Sequence, residues 1–560
     1  MNRLPLLVLQ RSDLNHIARN PARFEGTRLL FVDPGLLDEA AVRGLQDHEF
    51  RRIDVGPDLQ ARAASEAMAR ATLLDLQLTQ ERERLWPTHA SLHGWDVGVF
   101  FLALQRAAVA RQIGALVAAS FPEPRLNVLR PSVPQQMYFD SFVGPDLVAA
   151  DPARFCVLDV YTEARWHRDD AYTQVFDAAA ISALMRSGLV NAVTHVPTCF
   201  YDRAWLADEV SRAFSHTLDL ASPFWDVPLH RGAQLQMPRT ALPHDPAVAA
   251  YREQALQVLD ATLGDLLPQP VARRAQVLAW ADRCAWQAAN HTALLQGLAG
   301  TRPHVVLSDQ DTGCNGPLFS VADALGAPVT VVPHSGHPSM LLPHARRVTA
   351  VEQAGYGTQP RTVLGQNVAV RTVRYAPRPE LLEAPRVRSL CLMLNSMQTE
   401  GLSHVDAHAL AAFHRPLAAL CAAHDVHLIL RAKPGAPALS VLAGALGLPP
   451  QQLVQDATES LPRLAERAQL CIAYGEPTTG VAPFLAVGAL VLQVCPQRWP
   501  TDYTVCMPLV QDGVIPLLDH EQALLLVSDL LARPDFFQSR RQTQRHAFDA
   551  RCEGAHDHLF

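Results

Sequence analysis

Short apolar runs broken by polar turns set the rhythm of this chain. Residues 6–9 and 29–32 are the first two, and the second ends in Asp33-Pro34-Gly35, a strand followed by a turn. From about residue 58 to 120 the period changes. Ala67, Ala71, Leu74 and Leu78 recur at helical spacing among Ala, Leu, Arg and Glu, which predicts helices. Residues 121–150 hold Pro122, Pro124, Pro131 and Pro134. Proline fixes its own φ and restricts the residue before it, so this stretch is expected to be loop. Residues 151–300 are mixed and end in a strongly helical run, 271–298, that carries Trp280 and Trp286.

Strands and helices alternate from residue 304 onward. Runs 304–309 and 329–332 flank a helix-like stretch, 318–325, and form a β-α-β unit, the building block of a parallel sheet. Pro377-Arg378-Pro379 and Ala384-Pro385-Arg386 read as a linker. Beyond it, strands are expected at 389–394, 427–431, 452–454, 470–473 and 490–494. Helices are expected at 406–424, 439–446, 461–468 and 481–487. Five strands alternating with helices are the pattern of a doubly wound domain.

Composition narrows the class. At 560 residues the chain should hold two to four domains, and 49% apolar with 18% charged residues is enough for sizeable cores. A net charge of −7 gives no basic footprint, which argues against wholesale nucleic-acid binding. The 10 cysteines include no C-x-x-C pair, so a disulfide framework or structural zinc site is not expected, and a reducing compartment fits. The apolar run near the N-terminus is short for a signal peptide, and no stretch reaches the roughly 18–20 apolar residues of a membrane span. The expectation is a soluble, cytoplasmic protein, with peripheral contact at the membrane compatible.

Four constellations could carry chemistry. Strand 470–473 runs through Tyr474-Gly475-Glu476-Pro477 into Thr478-Thr479-Gly480 at the start of a helix. Unpaired N–H groups and the helix dipole favour an anion there, Thr478 and Thr479 add hydroxyls, and Gly480 permits close backbone approach. Either threonine could equally be an N-cap. Strand 427–431 ends in Arg431-Ala432-Lys433, where Arg suits a bidentate phosphate contact and Lys a point charge. Strand 329–332 ends in Pro333-His334-Ser335-Gly336-His337, and His334 could exchange a proton near neutrality. Strand 304–309 ends in Ser308-Asp309-Gln310-Asp311, and Asp309 or Asp311 could act as a base, as a nucleophile or as a helix cap. Asp159, Glu163, His167, Asp169 and Asp170 form a charged stretch that reads as a solvated loop or a sugar-binding one. No metal-binding motif is present.

The grammar of residues 386–500 resembles the donor-nucleotide lobe of GT-B glycosyltransferases, and 300–340 resembles their other lobe more loosely. The likeness is to bacterial enzymes that build capsule and lipopolysaccharide chains. Thr478, Thr479 and Gly480 match the family's turn, Gly488 with residues 490–492 its return strand, and Arg431 and Lys433 its cationic strand end. His334 matches a histidine in its acceptor-side lobe. Two departures stand out: Pro483 occupies the position of a ribose-binding Glu, and Pro434-Gly435 replaces a His-Pro. The first turns the expectation from the commonest retaining UDP- or GDP-sugar enzymes toward CMP-linked acidic sugars, as in Kdo transferases.

The resemblance implies an α/β fold of two Rossmann-like lobes, with a helical elaboration of the first. Residues 1–380 would form the acceptor-side lobe, 386–530 the nucleotide-sugar lobe and 531–560 a helical tail. It implies transfer of a sugar from a nucleotide donor to a surface polysaccharide or glycolipid, without metal or cofactor. Arg431, Lys433, Glu476, Thr478, Thr479 and Gly480 would hold the donor; His334, Asp309 and Asp311 would serve catalysis. An epimerase of the same fold and a non-catalytic scaffold in polysaccharide assembly are the rival readings.

Overall fold

The computed structural model describes residues 4–9, 11–31, 48–50, 57–85, 122–131, 151–161, 173–195, 203–220, 234–237, 239–264, 270–308, 315–332, 348–353, 368–374, 385–394, 407–432, 446–449, 459–475, 478–495 and 507–560. It also describes positions 40, 45, 100, 104, 108, 116, 147, 148, 443, 444, 451 and 453. Three parallel sheets dominate these residues.

The N-terminal sheet joins β1 (Leu6–Val8), β2 (Leu29–Phe31), β3 (His48–Phe50), β4 (Leu126–Pro131) and β5 (Phe155–Tyr161) in the order β3-β2-β1-β4-β5. β1 and β2 sit where the apolar runs predict them. β4 lies in the stretch expected to be loop. Its proline comes at the strand's last residue, where the missing N–H ends the ladder rather than interrupting it; the register with β5 shifts between Val128 and Leu129. The sheet is a third α/β layer beside the two Rossmann-like ones that the sequence pattern predicts. Helix α1 (Arg11–Arg19) follows β1.

β6 (Gln174–Phe176) pairs antiparallel with β10 (Arg239–Ala241) as a small separate ribbon. The middle sheet comprises β7 (Ala192–His195), β8 (Thr217–Asp219), β9 (Gln234–Gln236), β11 (His304–Ser308), β12 (Val329–Val332), β13 (Val348–Gln353) and β14 (Ala369–Val373). Their order is β14-β13-β12-β11-β7-β8-β9, all parallel. The C-terminal sheet, also all parallel, comprises β15 (Ser389–Leu394), β16 (His427–Arg431), β17 (Leu470–Tyr474), β18 (Leu490–Val494) and β19 (Leu517–Leu518) in the order β16-β15-β17-β18-β19. These last two sheets are the two Rossmann-like layers that the alternation predicts. One strand differs. Residues 452–454 were expected to supply a strand, yet Gln451 and Leu453 are helical, and the edge is filled by the two-residue β19. Leu453 is buried beside Ala443 and Leu446, and so short an apolar run does not by itself distinguish helix from strand.

Helix α2 (Pro57–Leu85) packs with α4 (Pro246–Leu263) and α5 (Pro270–Gly297) around Leu74, Leu78, Tyr251, Leu259 and Trp280. This bundle is the helical elaboration. Arg82 is buried in it among polar partners: its NH1 donates to the Tyr251 hydroxyl (2.8 Å) and its NH2 to Thr79 Oγ1 (2.7 Å), with Asp75 at 3.6 Å. A buried cation is tolerable only with such partners. The other face of α5 covers the middle sheet through Trp286, Ala289 and Leu294. Helix α3 (Arg203–Ala213) covers the opposite face, and α6 (Asn315–Leu325) links β11 to β12. Around the C-terminal sheet lie α7 (Ala407–Ala423), α8 (Ala482–Ala486), α9 (His520–Ala532) and α10 (Pro534–Arg551).

In each sheet the chain begins near the middle, builds one side, then crosses to build the other. The reversals fall between β1 and β4, between β7 and β11, and between β15 and β17. Loops diverge at such switch points and open a crevice at the strands' carboxyl ends, the usual ligand position in this architecture.

Candidate functional site

The C-terminal switch point is bordered by the turn after β17. Tyr474 is fully buried; its ring stacks on Phe413 and its hydroxyl lies 2.9 Å from His520 Nε2. The chain then reverses at Gly475, whose φ of 100° lies in the region that favours glycine. The turn is fastened to β18. Gly475 N–H donates to the Val494 carbonyl (2.9 Å), while its own carbonyl accepts from Gln493 Nε2 (2.7 Å) and from the Cys495 thiol (2.9 Å). Gly475→Ala is expected to lower stability by about 1–3 kcal/mol through backbone strain alone. A lowered thermal midpoint checks this, and an unchanged one would contradict the strained geometry.

Thr478 is extended, with its hydroxyl accepting from Gly480 N–H (3.2 Å). It therefore caps the 3-10 turn Thr479–Val481 that leads into α8, and a hydroxyl that accepts this bond still carries a proton to donate. Thr478, Thr479 and Gly480 are half-buried. Gly480 has a packing role: a Cβ there would lie 3.1 Å from Met393 Sδ and 3.4 Å from Leu461 Cδ1. Pro483 is buried inside α8, with no polar group to offer a ribose.

Met393 also ties the turn to Arg431. It stands between Arg431 and Ala473 in register across three adjacent strands. Ile429, Met393, Ala473 and Val481 share one apolar cluster on one face of the sheet. Arg431 lies two residues beyond Ile429 on β16 and so projects to that same face. Arg431 is 7% exposed, and its NH1 donates to the Ala432 carbonyl. The cation and the hydroxyl turn thus lie on one face of one sheet, with the Met393 side chain between them. Lys433 and Glu476 lie outside the described residues.

At the middle switch point, β7 ends in His195 and β11 in Ser308, side by side through the Leu307–His195 register. Asn315, the first residue of α6, joins them. Its Nδ2 donates to the Ser308 carbonyl (2.7 Å), which turns its Oδ1 toward His195 Nδ1 (2.6 Å). Nδ1 therefore carries the imidazole proton and Nε2 the lone pair. Burial, with Arg239 of β10 as a further cause, lowers the His195 pKa to about 4, so the ring is neutral at physiological pH. Arg239 itself lies over the Phe176 ring (5.7 Å), and buried Asp219 ends the neighbouring β8. Asp309, Asp311 and His334 lie outside the described residues, although β11 and β12, the strands before them, end opposite each other at Ser308 and Val332. The sequence reading missed His195 and Asn315, whose one local sign is a polar residue closing the run Ala192-Val193-Thr194.

Asp159 ends up in neither crevice. On β5 it accepts from Arg23 (2.6 Å) and lies 2.8 Å from His16 Nε2, contacts that fasten α1 and the helical turn after it to the N-terminal sheet. Glu163, His167, Asp169 and Asp170 lie outside the described residues. Among the described residues no helix is long and apolar enough to cross a membrane.

No family model matches the chain, and no curated protein matches it. Similar solved structures include glycosyltransferases. The pneumococcal O-GlcNAc transferase GtfA, in complex with UDP and GlcNAc, aligns at 11% identity and a TM-score of 0.30, over 47% of this chain and 56% of that one. The spinosyn rhamnosyltransferase SpnG aligns at 15% identity and a TM-score of 0.32, over 65% of this chain and 97% of its own. Its complex with thymidine diphosphate aligns at 15% and 0.30, over 64% and 96%. This chain thus spans little more than half the length of GtfA. Likeness of this size carries no argument about the site, which stands on its own geometry.

Proposed function

We propose that this chain is a glycosyltransferase that holds a nucleotide-activated sugar at the switch point of its C-terminal sheet and transfers it to an acceptor at the middle sheet. One observation carries the reading. Arg431 and the Thr478-Thr479-Gly480 turn share one face of one sheet at its carboxyl edge. A guanidinium on one side and threonine hydroxyls on the other form a preorganised cradle for a phosphate that gains charge as the nucleotide leaves, while the N–H groups of Gly480, Val481 and Ala482 are spent on the turn itself. Lys433 and Glu476 complete the donor site in this reading. Residues 386–530 are its donor lobe, the residues before 380 its acceptor side and 531–560 its tail.

His195 adds a neutral hydrogen-bonding group to the acceptor side, where His334 and Asp309 or Asp311 are assigned to the proton of the acceptor hydroxyl. Pro483 in place of a ribose-binding carboxylate favours a CMP-linked acidic sugar, as in Kdo transferases. The acceptor is then a surface polysaccharide or glycolipid, met at the cytoplasmic face of the membrane by a peripheral enzyme.

Heat stabilisation by CMP-, UDP-, GDP- and CDP-linked sugars tests the donor site, since a bound ligand raises apparent stability by mass action. Thr478→Ala with Thr479→Ala is expected to reduce that stabilisation to a fraction of the wild-type shift. Stabilisation by none of the donors would favour the scaffold reading. Conversion of a donor sugar without any acceptor would favour the epimerase.

A further inference from the structure

The helix α8 that begins at the Thr478–Gly480 turn is gripped at its other end by α10. Arg545 NH1 donates to the Ala486 carbonyl (2.8 Å), and Arg541 Nε donates to the Gly488 carbonyl. These carbonyls lie at the helix's C-terminal end, where cations are favoured. Gln544 seats α10 on the sheet: its amide exchanges bonds with Val491 N–H (2.7 Å) and the Val491 carbonyl (2.8 Å), and donates to the Val514 carbonyl (2.9 Å). Phe548 packs among Val481, Phe484 and Leu485.

The chain then leaves this sheet for the middle one. Gly554, at φ 77°, makes the bend. His556 bridges to β14 in parallel: its N–H donates to the Thr372 carbonyl (2.9 Å), and Arg374 N–H donates to the His556 carbonyl (2.8 Å). The Arg371 guanidinium donates to the His558 carbonyl at 3.2 Å. Leu559 N–H donates to Glu209 Oε2 of α3 (2.7 Å), a carboxylate only 3% exposed. Leu559 is buried among Val306, Val332, Val351 and Val373, and Phe560 meets Phe214 edge-on at 5.0 Å. A short segment that makes this many buried and backbone contacts outside its own sheet is a mechanical connection.

We propose that α10 and residues 555–560 form one strap that couples the Thr478–Gly480 turn to the middle sheet, with Gly554 as its hinge and Glu209 as its latch. The strap joins the end of the helix that starts at the donor turn to the face of the other sheet, so each end biases the other. Its consequence for sugar transfer rests on the function proposed above. The coupling itself is read without a nucleotide, so either can fail alone.

Amide hydrogen exchange supplies the test, with one variant at each end of the strap. Glu209→Ala with Leu559→Ala is expected to speed exchange at His556 and Arg374 at least tenfold, and also at Gly488 and Ala489 in the other sheet. Arg541→Ala with Arg545→Ala should act in reverse, loosening Gly488 and then His556 and Leu559. If the double arginine variant unfolds the C-terminal sheet, Arg545→Lys keeps the cation and should give a smaller change of the same pattern. Exchange that rises only in the sheet that was mutated, in both variants, would overturn the coupling.

Discussion

Arg431→Met should weaken nucleotide binding by about 10- to 100-fold while leaving the fold in place. The magnitude follows from a charge-assisted hydrogen bond to phosphate, worth about 1.5–3 kcal/mol. Met keeps most of the volume at a position only 7% exposed, on a face already lined by Met393 and Ile429. Arg431→Lys separates charge from geometry: it keeps the cation but loses the planar fork, so an intermediate loss is expected. Calorimetric titration of wild type and both variants with the best stabilising nucleotide gives the three affinities. Equal affinities would remove Arg431 from the donor site, and with it the observation on which the proposed function rests. A comparable loss in Thr478→Ala with Thr479→Ala, not fully additive with Arg431→Met, would place both on one phosphate.

The sequence made the alternating part of the fold readable because strands such as 389–394 and 304–308 are apolar, buried on both faces and bounded by turns. It concealed strands that are short or that owe their existence to distant partners. β8 is three residues and β19 two, and neither exists without its neighbour. β4 was hidden by the prolines around it, although only its last residue is one. The site divides in the same way. The hydroxyl turn and Arg431 were legible because strand ends and helix starts have local signatures. Their common face was not, because it depends on Met393 lying between them in register. Gly480 was read as room for a phosphate, and the structure adds a second occupant of that room, the Met393 sulfur. His195 and Asn315 are 120 residues apart and have no joint signal in the sequence.

His195 should make the middle sheet sensitive to acid. In the folded protein its pKa is lowered from 6.5 to about 4. Above pH 6.5 the ring is neutral in both states and contributes nothing to pH dependence. Between 6.5 and about 4 the unfolded chain takes up a proton that the folded one refuses, so stability falls as pH falls. Integrated over that window the loss is about 3 kcal/mol. Burial sets the sign; Arg239 adds to it by opposing a second positive charge, and Asn315, unlike a carboxylate, offers no charge to stabilise the protonated ring. Asp219 ends the adjacent strand without reversing this outcome. His304 and His414, whose pKa values burial also lowers, add to the trend in the same direction. His195→Gln removes the titrating ring and should flatten the stability curve over this window, while lowering stability at pH 7 through the altered bond to Asn315. Urea unfolding followed by tryptophan fluorescence, to which Trp286 buried against the middle sheet contributes, measures the slope. Curves for wild type and His195→Gln that run parallel from pH 7 to 4.5 would show that His195 is protonated in the folded protein and that its burial is not what the middle crevice depends on.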